Sequence, residues 1–178
     1  LYLKDPGGLL IPERLPTLVP AINSQLKRLS INEIHSHCNT GLSPRVVLEA
    51  ADLGIDTIHC ALDPVANGPS HPPAMQLVNN LRGRGYSVDI DDAALKKACD
   101  TVSKIAARNN LPLGKPAVYD EDYFAHQIPG GMITTLERQL RERGQIDLIP
   151  AIKKEVVRVR ADLGYPILVT PFSQYVVT

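Results

Sequence analysis

In the first half of the chain, short apolar runs alternate with longer segments in which apolar residues recur every three to four positions. The short runs predict strands at 1–4, 33–37 and 55–62, and the longer segments predict a helix after each strand. Strands and helices that alternate with short links favour parallel strands covered by helices. The pattern therefore predicts an α/β fold for residues 1–88.

Turn and capping residues suggest where the first helices begin and end. The first helix should start at Pro12 and keep its apolar period to Leu29, with a bend at Pro20 because proline lacks the N–H. The second should begin with Ser43 as its N-cap and stop at Gly54.

The second half of the chain has a helical pattern and no convincing strand. Three helices are predicted there, at 91–109, 130–143 and 148–163. Charges of both signs along these segments are typical of solvated helix faces. The pattern changes near residues 85–89, so we expect an α/β part at 1–88 and an all-helical extension at 89–178.

The composition is that of an ordinary globular protein. Of the 178 residues, 44% are hydrophobic, and 19 basic side chains balance 19 acidic ones. Zero net charge argues against nucleic acid or an anionic membrane surface as partner, and no apolar run approaches the roughly 20 residues of a transmembrane segment. An odd number of cysteines indicates reduced thiols in a cytoplasmic protein: Cys38, Cys60 and Cys99.

The sharpest local feature is the sequence His35-Ser36-His37 at the carboxyl end of the second predicted strand. Side chains alternate along a strand, so both imidazoles should point to one side, close enough to chelate a metal ion. Barrel proteins of the α/β class place their chemistry at the carboxyl ends of strands. The other interpretation is two hydrogen-bonded histidines at a strand end. Cys38 should face the opposite side as a packed thiol.

Lys4 is the second candidate for a functional residue, because it ends the apolar strand that precedes the histidines. A lysine among strand ends can pair with a carboxylate, lose its proton or be covalently modified, and all three remain open. Asp5 alternates to the other side and is a candidate cap for the following turn. The loop after the third strand lies on the same rim, where His71 can also reach a ligand.

Four motifs occur in order along the chain: Lys4-Asp5-x-x-Gly8-Leu9-Leu10, His35-x-His37-x-x-Thr40-Gly41, Gln127-Ile128-Pro129-Gly130-Gly131-Met132 and Val169-Thr170-Pro171-x-Ser173-Gln174. Together they resemble the carboxyltransferase component of biotin-dependent enzymes, which include pyruvate carboxylase, oxaloacetate decarboxylase and 2-oxoglutarate carboxylase. The loop 68–73 and the stretch 132–178 look most like the 2-oxoacid-side subunit of transcarboxylase (methylmalonyl-CoA carboxyltransferase). The resemblance covers essentially the whole chain.

The resemblance implies a TIM (β/α)8 barrel followed by a helical extension. The three predicted strands would be the sixth, seventh and eighth of the barrel, so the chain would hold its C-terminal part, about three βα units, beginning inside a strand at Leu1. A (β/α)8 barrel needs about 250 residues. We therefore expect a segment of a larger domain, with unpaired strand edges and little stability alone.

In that family a divalent metal ion (Zn, Mn or Co) lies at the carboxyl end of the barrel. By motif match, its ligands here would be His35, His37 and Lys4, the last as a carbamylated lysine. Carbamylation replaces a cation, which would repel the metal, with a carboxylate-like oxygen ligand. The family's remaining ligand, an aspartate of the first strand, is absent from this sequence.

The implied reaction is carboxyl transfer between carboxybiotin and a 2-oxoacid such as pyruvate or oxaloacetate, with the metal polarising the ketone. Biotin would arrive on a separate carrier domain or subunit, because the chain has no Met-Lys biotinylation motif. The implied partners are this biotin carboxyl carrier, the 2-oxoacid, and other subunits of a homo-oligomer or multi-subunit complex.

The chain departs from the family in the loop that follows the third strand. Pyruvate carboxylases carry a threonine there, thought to move the proton between biotin and substrate, whereas residues 64–69 contain neither Thr nor Ser. Ser70 and His71 are the candidate replacements.

Two other functions remain open. A metal-dependent aldolase or acyl-CoA lyase of the wider barrel superfamily would share the His-x-His strand and would not need Lys4 as a ligand. A non-catalytic assembly fragment would use the helical half to dock partner subunits.

Overall fold

The computed structural model of the chain describes residues 1–27, 29–169 and 171–177. Three parallel strands form a sheet in the order β1 (Tyr2–Asp5), β2 (Glu33–Ser36) and β3 (Thr57–Ile58). One helix follows each strand: α1 (Leu15–Gln25), α2 (Ser43–Asp52) and α3 (Ala74–Gly83). The predicted α/β alternation with parallel strands is confirmed.

The helices cover one face of the sheet with an apolar core. Ile34 of β2 is fully buried and is aligned with Leu3 and Ile58 in the neighbouring strands. All three belong to the cluster formed with Leu15 of α1 and Val47 of α2. Because side chains alternate along a strand, the positions flanking this row point to the opposite face of the sheet.

The first helix is shorter than predicted. It ends at Gln25 rather than Leu29, because Leu26 already has extended backbone angles. Asn23 Oδ1 accepts a hydrogen bond of 2.8 Å from the Ile31 N–H, which directs the chain toward β2.

The third strand is also shorter than the predicted run 55–62. Two residues pair with β2, and His59 N–H adds one bond of 3.0 Å to the Ile34 carbonyl. The chain then leaves β2 because Ala61 pairs with the loop before α3: its N–H donates to Pro72 O, and its carbonyl accepts from Ala74 N–H.

Buried polar side chains tie the strand ends together. The Asp5 carboxylate accepts hydrogen bonds from Leu9 N–H and Leu10 N–H, so the predicted turn cap is confirmed. Ser43 was expected to be the N-cap of α2. It lies instead within the first helical turn, and its hydroxyl donates to the Ser36 carbonyl at 3.1 Å because that buried acceptor is close by.

The described residues of the second half form helices joined by loops and contain no strand. Its helices are α4 (Asp92–Arg108), α5 (Asp122–His126), α6 (Gly130–Glu142), α7 (Ile149–Asp162) and α8 (Phe172–Val177). Three of them match predicted helices, whereas α5 and α8 are too short to show a helical period. Thr170 of the fourth motif and Thr178 lie outside the described residues. No helix in the described part of the chain is long and apolar enough to cross a membrane.

Candidate metal centre

The face of the sheet opposite the helices carries polar side chains. Along β2 and the residues after it, buried positions alternate with half-buried ones, and the half-buried set is Glu33, His35 and His37. The strand register places Lys4 of β1 beside His35. The two imidazoles therefore share one side, as predicted, with their ring centroids 5.1 Å apart.

A third histidine joins this pair from the loop after β3. Potential ligand atoms of His35, His37 and His71 all lie within 4.8 Å of one another. The ring centroid of His71 is 4.3 Å from that of His35 and 4.6 Å from that of His37. Three imidazoles at this separation offer the nitrogen donors that Zn²⁺ and related divalent ions prefer.

Backbone carbonyls hold two of these rings in one tautomer. His37 Nδ1 lies 2.6 Å from the Pro69 carbonyl oxygen, and His71 Nδ1 lies 3.0 Å from that of Ser36. A carbonyl only accepts hydrogen bonds, so each neutral ring carries its proton on Nδ1 and a lone pair on Nε2. His35 turns its own Nε2 toward His37 Nε2, at 3.2 Å. This set of donors fits a metal ion.

The lowered pKa values of His35 and His37 also favour metal binding. Burial, followed by the neighbouring histidines and Lys4, lowers the pKa of His35 to about 4. Burial is also the main cause that lowers the pKa of His37. A metal binds the neutral imidazole, so both rings are held in the form that can act as a ligand.

Lys4 is aligned with His35 in the sheet, and its side chain is exposed. Its positive charge is one of the causes that lower the pKa of His35 and His37. As an ammonium it would repel a metal ion in the same way, whereas an oxygen ligand at this position would attract one.

Ser70 and Cys38 meet beside the cluster through their backbones. The Cys38 N–H donates to the Ser70 carbonyl at 2.8 Å. Burial raises the pKa of the Cys38 thiol to about 11, so it is an inert packed thiol, as expected. All three cysteines are free, and Cys60 is exposed.

Two further residues of this face, Glu33 and His59, were not predicted from the sequence. His59 Nδ1 lies 2.9 Å from His35 Nδ1, and His59 Nε2 lies 2.7 Å from Glu33 Oε1. The period of two that groups His35 with His37 also includes Glu33, so the sequence did contain a signal that Glu33 lies on this face. His59 lay inside an apolar run with no local sign of its neighbours.

Residues 124–178 match the conserved carboxylase domain family. A pyruvate carboxylase subunit of Methanocaldococcus jannaschii is 37% identical over 100% of this chain, which covers 31% of that protein. The methylmalonyl-CoA carboxyltransferase 5S subunit of Propionibacterium freudenreichii subsp. shermanii is 34% identical over 100% of this chain, which covers 35% of it. The chain thus spans about a third of the length of these relatives.

The fold is similar to that of the carboxyl transferase domain of Rhizobium etli pyruvate carboxylase, solved with pyruvate and biocytin. The TM-score is 0.87, over 98% of this chain and 29% of that chain. At 24% sequence identity, this similarity bears on the fold alone.

Proposed function

We propose that the chain, which is similar to subunits of pyruvate carboxylase and methylmalonyl-CoA carboxyltransferase, is part of an enzyme that transfers a carboxyl group between carboxybiotin and a 2-oxoacid such as pyruvate or oxaloacetate. The proposal rests above all on one observation. The side chains of His35, His37 and His71 converge where the parallel strands end, the position of the active site in α/β barrels.

His35 and His37 would hold a divalent metal ion (Zn, Mn or Co), with Lys4 as an oxygen ligand and His71 within reach as a further nitrogen. When bound, the ion supplies the Lewis acidity that polarises the substrate ketone and stabilises the enolate. Lys4 is exposed, so its neutral amine can attack CO₂. A new N–C bond forms as one C=O π bond of CO₂ opens, and two protons leave for solvent, one when the ammonium becomes the amine and one when the carbamate forms, so an anion replaces the cation.

Ser70 is the proposed group for moving the proton between biotin and substrate. Its hydroxyl lies in the loop that also holds Pro69 and His71, and the Pro69 carbonyl binds His37. If His71 is a metal ligand, Ser70 is the group in that loop that can transfer the proton. If His71 does not bind the metal, His71 itself would transfer the proton.

We place the sheet at the C-terminal end of a (β/α)8 barrel, with residues 1–88 as its last units and 89–178 as the helical extension. Among the described residues, β1 and β3 are the outer strands of the sheet, and each would pair with a further strand in a closed barrel. Biotin would be delivered by a separate carrier domain or subunit within a larger cytoplasmic assembly.

Carboxyl exchange in the intact protein tests this function. The protein should contain Zn, Mn or Co and should exchange label between pyruvate and oxaloacetate when a biotin carrier is supplied. His37→Ala should lose both metal and exchange, whereas Asp56→Asn, an exposed acid before β3, should keep both. Wild-type protein with no metal and no oxaloacetate decarboxylation would refute the proposal.

A further inference from the structure

Glu33 and His59 form a hydrogen-bonded pair next to His35, on the side away from His37. We infer that this pair is a positioning device, which fixes the tautomer and orientation of His35 for metal binding. The inference rests on the proposed metal site and goes beyond it, because neither residue belongs to the predicted ligand set.

The three side chains form a chain of two hydrogen bonds. Glu33 Oε1 lies 2.7 Å from His59 Nε2, and His59 Nδ1 lies 2.9 Å from His35 Nδ1. The rings of His35 and His59 meet edge to face, with centroids 5.1 Å apart and an interplanar angle of 84°. This geometry directs one ring nitrogen of His59 at each partner.

The direction of each bond follows from what each atom can do. A carboxylate only accepts hydrogen bonds, so the proton between Glu33 and His59 belongs to His59 Nε2. A His59 ring with this one proton has a lone pair on Nδ1, so the proton between the two histidines belongs to His35 Nδ1. His35 Nε2 is left with its lone pair, and that atom faces His37 Nε2.

The register of the sheet makes these two consecutive hydrogen bonds possible. Glu33 and His35 are two residues apart on β2 and therefore lie on one face. Glu33 is paired with Thr57, and continuing the register by two residues brings His59 beside His35. Glu33 and His59 have 34% and 35% of their side-chain surface exposed, so about two thirds of each side chain is shielded from solvent.

The same tautomer is imposed on His37 and His71 by backbone carbonyls, whereas His35 depends on side chains that can be replaced. Without its acceptor, a neutral His35 would also populate the form with a proton on Nε2, which cannot bind a metal through that atom. Loss of such outer partners typically costs 10–100-fold in metal affinity.

The experiment measures the Zn²⁺ dissociation constant of the intact protein by chelator competition, together with the absorption spectrum of bound Co²⁺. His59→Phe keeps an aromatic ring but removes the acceptor, and it should weaken Zn²⁺ binding about 10–100-fold and change the Co²⁺ spectrum. His59→Gln can accept the His35 proton through its amide oxygen and should restore affinity. Asp56→Asn is the matched charge control and should bind as wild type.

Glu33→Leu removes the hydrogen bond between Glu33 and His59 without changing a residue in contact with His35. Like His59→Phe, it should weaken Zn²⁺ binding, and it keeps the test valid if His59→Phe fails to fold. Unchanged Zn²⁺ affinity in both variants, or equal losses in His59→Phe and His59→Gln, would overturn the inference. Wild-type protein that binds no metal would overturn the proposed metal site as well, whereas metal binding without carboxyl exchange would count against the proposed reaction alone.

Discussion

A β-carbon added to Gly130 would lie 2.7 Å from the Cα of Pro69 and closer still to Asn39 Oδ1. The first residue of α6 therefore touches the loop whose Pro69 carbonyl accepts the hydrogen bond from His37 Nδ1. Through this contact the helical half packs against the loop that borders the candidate metal centre.

Gly130→Ala should therefore damage the site from the other half of the chain. Overpacking of this kind costs about 1–3 kcal/mol, and the loop can relieve it by moving Pro69 away from His37. We expect a lower unfolding free energy and weaker Zn²⁺ binding in the intact protein. Gly131→Ala is the matched control, because nothing lies within 4 Å of its added β-carbon, and its unfolding free energy should stay within about 0.5 kcal/mol of wild type.

Asp5→Ala should destabilise the sheet strongly. The buried carboxylate accepts from Leu9 N–H at 2.8 Å, Leu10 N–H at 3.1 Å and the Ser36 hydroxyl at 3.0 Å. Hydrogen bonds to charged groups contribute about 1.5–3 kcal/mol each, and since they are not additive we expect a total loss of about 3 kcal/mol, measured by urea unfolding. Asp56→Ala, on the exposed surface, should stay within about 0.5 kcal/mol of wild type.

Metal binding should depend on dissolved CO₂ through Lys4. Protein prepared without CO₂ should bind Zn²⁺ weakly and recover with bicarbonate, while Lys4→Gln should bind weakly in both conditions because it cannot form a carbamate. Lys104→Gln, on α4, should respond as wild type does. An unmodified Lys4 in a metal-loaded protein, seen by mass spectrometry, would favour the aldolase or acyl-CoA lyase alternative.

Substitutions of Ser70 and His71 should affect different properties of the protein. Ser70→Ala should slow carboxyl exchange by roughly 10²–10⁴-fold, the usual contribution of a proton-transfer group, without changing metal content. His71→Asn should instead lower Zn²⁺ affinity, because His71 lies within reach of both other histidines. The opposite pattern, with metal lost in Ser70→Ala and retained in His71→Asn, would contradict this assignment.

Stability should fall in acid partly because of His126. Burial, and then the charge of Lys153, lowers the pKa of His126 from 6.5 to about 4, and its Nδ1 accepts the Ile128 N–H at 2.9 Å. Below pH 6.5 the unfolded chain binds a proton that the folded chain excludes, so stability declines from pH 6.5 to about pH 4 and then levels off.

The His126→Asn variant tests this cause. Its amide oxygen can accept the same N–H and does not titrate, so the urea midpoint should decline less with acid over this window than in wild type. Equal pH dependence in the two proteins would exclude His126 as a source of the acid sensitivity.

Local sequence patterns predicted the elements best where the pattern is long or strictly alternating. The period of two between residues 33 and 38 placed His35 and His37 on one side and Cys38 on the other, as the structure does. The helical period of α4 was also predicted, and in the structure the Asp91 carboxylate caps this helix by accepting from Ala93 N–H and Ala94 N–H. Short elements such as α5 hold too few residues to show any period.

The sequence by itself determined the alternation of strands and helices, the shared face of His35 and His37, and the relation to biotin-dependent carboxyltransferases. Tertiary structure alone decided the early end of β3, the short distances between His71 and the other two histidines, and the contact of His59 with Glu33. The reason is physical: alternation and helical period act between near neighbours, whereas the contacts of the histidines join residues 24 to 35 positions apart. They depend on strand register and loop path, which no local pattern encodes.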